Sequence, residues 1–269
     1  MGQAQQPQHD DRYAQAEEYI RVMYKLFQSS WRDDAVQLDR KNGIYTSPDL
    51  AGTSRAGKVF AAQHAEAIFV SAHSPQVCAK NIAEVRQLAR EQFGRNPSNL
   101  KVLALVTPIL GRTEEEALAK LKDYRQYASH EGALALFAGW TGIDLSKYGD
   151  EEELRQVESN AVSIGGNGPV ILGTPAQVAD GLETWVKEAD VDGFNFAYAL
   201  FPGSFKDIIE LLLPELKARG LFWDGYIKGG TYRENFYNSP GQKVPLDEHV
   251  ASKYHWKAGA SASEHKIPE

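Results

Sequence analysis

Apolar residues at Ala16, Ile20, Met23, Tyr24 and Phe27 recur at helical spacing, which predicts an amphipathic helix from about Arg12 to Gln28. A second helix is expected from Arg55 to Ala65. The run Glu66 to Ser71 then reads as a short buried strand, and Ser74-Pro75 supplies an N-cap and an N1 proline for a helix to about Phe93. Lys101 to Leu110 predicts another strand. Thr113 with Glu116 has the spacing of a capping box and opens a helix expected to reach about Phe137. Thr174-Pro175 with Gln177 caps another, to about Ala189. Asp192 to Leu200 reads as a strand, and Phe205 to Arg219 as a helix that Pro214 should kink. Strands alternating with helices predict an α/β protein with a parallel sheet and crossover helices.

Between these elements lies a break in the rhythm. Residues 139 to 169 combine Gly139-Trp140-Thr141-Gly142-Ile143-Asp144-Leu145-Ser146, an acidic stretch and Gly165-Gly166-Asn167-Gly168, and read as an insertion with a flexible glycine lid. The leader, residues 1 to 10, is polar and expected to be disordered; the folded domain spans 11 to 236, and residues 237 to 269 read as a polar surface tail.

The most informative stretch is Ala51-Gly52-Thr53-Ser54, a small hydroxyl-bearing loop that opens the second helix. A helix N-terminus presents unpaired N–H groups and the positive end of a dipole, so hydroxyls there form a seat for phosphate. The same geometry serves a plain N-cap, and both readings of Thr53 and Ser54 stay open. A buried strand should lead into such a loop, yet the turn-like run Gly43 to Leu50 precedes it.

Composition narrows the classes. A net charge of −7 and a pI near 5.6 disfavour a nucleic-acid partner or an anionic membrane surface. Cys78 is the only cysteine, so an intrachain disulfide or thiolate metal site is excluded, and a reducing, cytoplasmic setting is the expectation. No metal-ligand spacing and no Ser/His/Asp order stands out. His64, in the helix after the loop, reads as structural.

The order of several motifs carries a resemblance. Ala51-Gly52-Thr53-Ser54 through Phe60-Ala61-Ala62-Gln63-His64-Ala65-Glu66, Gly173-Thr174-Pro175-Ala176-Gln177-Val178-Ala179-Asp180, Asp192-Gly193-Phe194-Asn195, Leu213-Pro214-Glu215-Leu216-Lys217-Ala218-Arg219-Gly220 and Gly230-Thr231-Tyr232-Arg233-Glu234-Asn235 together resemble the bacterial-luciferase-like flavin monooxygenases. The branch is that of nitrilotriacetate monooxygenase, pristinamycin synthase and long-chain alkane monooxygenase. The resemblance implies the C-terminal part of a TIM-like (β/α)8 barrel, shortened at the N-terminus and within the chain.

It also implies an enzyme that uses reduced FMN, supplied by a separate flavin reductase, and oxygen to oxygenate a small organic substrate. Thr53 and Ser54 would hold the FMN phosphate, and His9 and Tyr13 would reach the phosphate and ribityl region. Trp140 stands where some relatives carry a histidine near the substrate. A shortened barrel leaves strand edges exposed, so a homo-oligomer, or a catalytically inactive relative acting as an interaction module, is the alternative.

Overall fold

The computed structural model describes residues 13, 16–21, 23–24, 50–51, 55–128, 164, 166 and 168–255. The chain divides into two compact units: residues 1–68, 84–100 and 226–269 form the first, and 69–83 with 101–225 the second.

In the first unit the described residues between 13 and 24 are helical (α1). A two-residue strand, β1 (Leu50–Ala51), precedes α2 (Arg55–His64) and neighbours β2 (Ala67–Val70) in strand order. The glycine-hydroxyl loop therefore does follow a strand, where the sequence suggested only a turn; two residues are too few to register as an apolar run. Further along come α3 (Pro75–Phe93), which crosses from the second unit into the first, and a 3₁₀ turn at Pro97–Asn99. The Ser74 hydroxyl accepts the Val77 N–H, as its N-cap position predicts.

The second unit is built on β3 (Lys101–Leu110). β5 (Gly193–Phe196) pairs in parallel with its first half, Leu103 opposite Gly193 through Val106 opposite Phe196. β4 (Val170–Gly173) pairs in parallel with its second half, Thr107 opposite Val170 through Leu110 opposite Gly173. The flanking bonds Ala197 N–H to Val106 O and Thr107 N–H to Pro169 O leave from adjacent residues of β3, so the two partners occupy opposite edges. The side chains of Val106, Phe194 and Phe196 face helices α5 (Pro175–Ala189) and the segment α6 (Gly203–Asp207), π-turn (Ile208–Leu212), α7 (Leu213–Ala218). Val106, Leu110, Val178, Leu182, Ile208, Leu212 and Leu216 form that apolar core. On the opposite face of the pair, half-buried Leu103 and Leu105 lie beside exposed Asn195.

Several elements end differently from expectation. α4 (Glu114–Arg125) stops in a turn at Gln126–Tyr127 rather than reaching Phe137. Thr113 caps it by accepting the Glu116 N–H at 3.2 Å, but Glu116 accepts the N–H of Arg112 at 2.8 Å instead of Thr113's, so the reciprocal half of the capping box is absent. β5 ends at Phe196, because the Ser204 hydroxyl captures the N–H groups of Ala199 and Leu200 at 3.2 and 3.1 Å and turns the chain off the sheet. Upstream of Pro214 the helix widens into the π-turn, which accommodates the ring and its missing N–H. Gly168 is buried, and a Cβ there would sit 2.7 Å from the Leu105 carbonyl oxygen; that end of the expected lid is packed against β3. Residues 237–255, expected as a surface tail, include buried His249, Ala251 and Tyr254.

Candidate functional site

Of the residues assigned to the flavin by resemblance, Tyr13 alone is among those described; His9, Thr53 and Ser54 lie outside them, as does Trp140. Tyr13 is half-buried, with its ring 5.9 Å from that of Phe60 on α2. This is also the contact of an ordinary helix-face residue.

What the structure does place is the helix that the Thr53-Ser54 loop opens. α2 starts at Arg55, and no acidic residue occupies its first turn. An anion at that end would meet the helix dipole with no carboxylate contributed by the first turn itself. Lys58, one turn in, is buried and committed to Glu84, with Nζ 2.6 Å from Oε2. The far end of α2 is held as firmly. The Arg95 guanidinium donates to the carbonyls of Ala62 and Ala65 at 2.9 and 2.7 Å, satisfying acceptors that the last turn leaves without partners.

Around that end sits a buried polar network. Glu66 receives a two-pronged ion pair from Arg233, both N–O distances 2.8 Å, and a longer bond from the Tyr237 hydroxyl. Burial alone would push the Glu66 carboxyl up; the Arg233 fork outweighs it and holds the group below its ordinary range. Arg233 belongs to α8 (Tyr232–Phe236), which Thr231 and Glu234 close with a complete capping box, while Asn235 accepts the Ile227 N–H at 2.6 Å. The motif Gly230 to Asn235 is thus a clamp on the α2–β2 junction.

His64 completes the network. Its Nε2 lies 2.5 Å from a Glu17 carboxylate oxygen and its Nδ1 3.1 Å from the Tyr24 hydroxyl. A carboxylate can only accept, so Nε2 carries the hydrogen and Nδ1 accepts from Tyr24. Burial lowers the pKa of this imidazole and favours that neutral form, more than Glu17 raises it. A cleft of about 110 Å³ opens beside Glu17, Arg21, Gln63, His64 and Lys253. That volume falls below the several hundred Å³ of a drug-sized ligand pocket. His64 has the structural role read for it in the sequence; Arg95, Glu66, Arg233 and His249 were missed, and a one-dimensional pattern carries no signal for charges that pair across the fold.

The second unit's motifs are likewise structural where they are described. Gly173 has φ +149°, and a Cβ would lie 2.6 Å from the Gln177 Oε1 that accepts the Thr174 N–H. With Pro175 at N1, Thr174 and Gln177 make a full capping box for α5. Arg219 then reaches Asp180, Glu183 and Glu215 at 2.6, 2.9 and 2.8 Å, which ties the Gly173–Asp180 motif to the Leu213–Gly220 motif. Asp192 accepts the Val102 N–H at 2.9 Å and pairs with Lys101 at 3.0 Å, setting the register of β3 against β5. No cluster of metal-ligating side chains occurs among the described residues, and none of their helices is long and apolar enough to cross a membrane. Cys78 is buried, its thiol pushed up to about 11, and so is unsuited to thiolate chemistry.

The parallel β/α organisation and the ordered motifs define an α/β fold of the barrel type. The luciferase-like monooxygenase family model matches residues 1–193, and the chain belongs to that family. It is 36% identical to the dimethyl-sulfide monooxygenase of Hyphomicrobium sulfonivorans over 94% of this chain, and 36% identical to the long-chain alkane monooxygenase of Geobacillus thermodenitrificans over 92%. The chain spans 64% of the length of each of these relatives. The alignments extend over 310 and 284 positions, more than the 269 residues available, so each opens gaps on this chain's side.

Solved structures agree. That of long-chain alkane monooxygenase superposes with a TM-score of 0.82 at 35% identity, covering 94% of this chain and 66% of that one. That of DmoA from H. sulfonivorans gives 0.79 at 35%, covering 100% and 68%. A riboflavin lyase solved with modified FMN and riboflavin gives 0.78 at 26%, covering 94% and 67%. One feature present fits a nucleotide phosphate: α2 begins with no acidic residue in its first turn.

Proposed function

We propose that this protein binds FMN and acts as a monooxygenase on a small organic molecule of low polarity, with reduced flavin delivered by a separate reductase. Two relatives that it matches are named as monooxygenases of dimethyl sulfide and of long-chain alkanes. The structural observation that carries the reading is the α2 N-terminus, preceded by Thr53-Ser54, clear of acidic residues in its first turn, and anchored at the opposite end by Arg95. When bound, reduced FMN supplies the oxygen-activating chemistry, and the protein's part is to bind and orient it and to exclude water.

In this reading Thr53 and Ser54 donate hydroxyl hydrogen bonds to the phosphate alongside the first N–H groups of α2, while His9 and Tyr13 border the phosphate and ribityl chain. Equilibrium binding of oxidised and reduced FMN tests it, with Ser54→Ala as the control. Micromolar binding that weakens about tenfold in Ser54→Ala is the expected result, the loss of one charge-assisted hydrogen bond. Oxygen uptake with reduced FMN should then yield oxygenated dimethyl sulfide or alkane. Hydrogen peroxide as the sole product would overturn the monooxygenase assignment. Failure to bind FMN would favour the inactive interaction module.

A further inference from the structure

We propose that His249 is an acid-sensitive latch that holds the 3₁₀ turn Val250–Tyr254 against α1 and α2. The imidazole is buried and uses both nitrogens with opposite polarity. Nε2 donates to the His64 carbonyl at the end of α2, at 2.8 Å, and Nδ1 accepts the Ala251 N–H at 3.1 Å, the N-cap bond of the turn. Only a neutral ring protonated on Nε2 satisfies both partners. A second proton on Nδ1 would point at the Ala251 N–H, donor against donor, and break the cap.

The surroundings reinforce this. From α1, Tyr24 meets the ring edge-on at 5.9 Å. From α2 comes neutral His64, with Glu17 beyond it. The Arg95 guanidinium, following α3, opposes a second positive charge. The Glu66 carboxylate would favour one but is already paired with Arg233 and Tyr237. On the same segment, Glu248 pairs with Asn99, and the Lys253 ammonium lies over the Tyr254 ring. Burial, with the Arg95 charge second, pushes His249 down to about 4. What the latch secures is an apolar cluster: Ala251 and Tyr254 bury against Tyr24, with Ile20 and Val250 at its margin.

An imidazole freed to water titrates near 6.5, so acid favours the open turn progressively below that pH. The test is the protection of the Ala251 amide against hydrogen exchange, normalised to its intrinsic rate, at pH 7 and pH 5. In the intact protein protection should fall about twentyfold. His249→Asn retains an N-cap acceptor but cannot titrate in this range, and its protection should stay flat. His64→Gln should keep most of the fall. An unchanged protection in the native protein, or an equal fall in His249→Asn, would overturn the latch. Should the Asn variant fail to close the turn, the NMR titration of the His249 ring in the native protein decides: a midpoint below 5 supports the latch, and one near 6.5 removes it.

Discussion

Both units bury apolar side chains, and the first adds buried charges and imidazoles that the second lacks among the described residues. In the second, the core is Val106, Leu110, Val178, Leu182, Ile208, Leu212 and Leu216, apolar side chains interdigitating between a parallel pair of strands and the helices over it. In the first, His64, Glu66, Arg95, Glu234 and His249 are all buried, and each is held by a particular partner, although the Arg95 Nε–H has none. Apolar contacts are non-directional and fail in proportion to the area lost. Buried polar contacts are directional, and removal of one partner strands the other. The first unit should therefore be brittle to single substitutions and to acid, and the second graded in its response.

The largest effect is expected from Arg233→Ala. It leaves the Glu66 carboxylate buried without its fork, a change that costs about 3–5 kcal/mol. Chemical denaturation should show a loss of that size, with amide protection falling first in α2. The comparison is sharpened by the double replacement Glu66→Leu with Arg233→Met. If the network is brittle rather than intrinsically strong, the double variant recovers most of the loss; if it stays as unstable as the single variant, the pair itself supplies the stability.

Leu212→Ala in the second unit comes next. The side chain is wholly buried at the π-turn against β3 and α5, and its truncation should cost about 3 kcal/mol, transfer and cavity together. Leu212→Met, which nearly conserves volume, should cost under about 1.5 kcal/mol. No conservative replacement of Arg233 should be tolerated as well, because lysine cannot reproduce the fork. If Arg233→Lys proves as mild as Leu212→Met, the contrast between the units is wrong.

Acid separates the units in a second way. His64 and His249 are neutral when folded and have lowered pKa values, so they contribute stability above about pH 6.5 that is lost as pH falls. For His249 alone the loss between pH 7 and pH 5 is about 2 kcal/mol. Glu66, also lowered, adds a loss below its unfolded value of 4.5. All three act in the same direction. The apolar core of the second unit has no titrating member, and a stability-against-pH curve for His249→Asn should be flatter between pH 7 and pH 5 than that of the native chain.

The same contrast explains what could be read in the residues. The second unit's signals are local: Thr174-Pro175 and Gln177 fix the start of α5, and the apolar run Lys101–Leu110 is β3 from end to end. β4 escaped because its four residues are too short a run to stand out beside glycines. The first unit's ties are remote. Glu66 and Arg233 are separated by 167 positions and His64 and His249 by 185, and no periodicity announces such pairs. Thr53 and Ser54 were legible from the residues as a phosphate seat or an N-cap, since a hydroxyl at a helix start looks the same in either role, whereas their link to FMN and the candidates His9 and Tyr13 came only through the ordered family motifs. Most of those motifs, once placed, prove to be joints of the scaffold.

The smallest effect tests one such joint. In Thr174→Ala, α5 loses the hydroxyl that accepts the Gln177 N–H, while Gln177 can still accept the N–H of residue 174. Half of the box survives, and Pro175 keeps its place at N1, so the cost should be about 1 kcal/mol, read as a small drop in the denaturation midpoint without a change in slope. The parallel change Thr231→Ala removes the same hydroxyl from α8, but there Glu234 is buried and accepts from Thr231 Oγ1, Thr231 N–H and Gly241 N–H together. The hydroxyl belongs to a network that positions Arg233 on Glu66, so the loss should exceed that of Thr174→Ala. Equal costs at the two caps would mean that the network around Glu66 is a set of independent bonds, and the distinction between the units would reduce to composition alone.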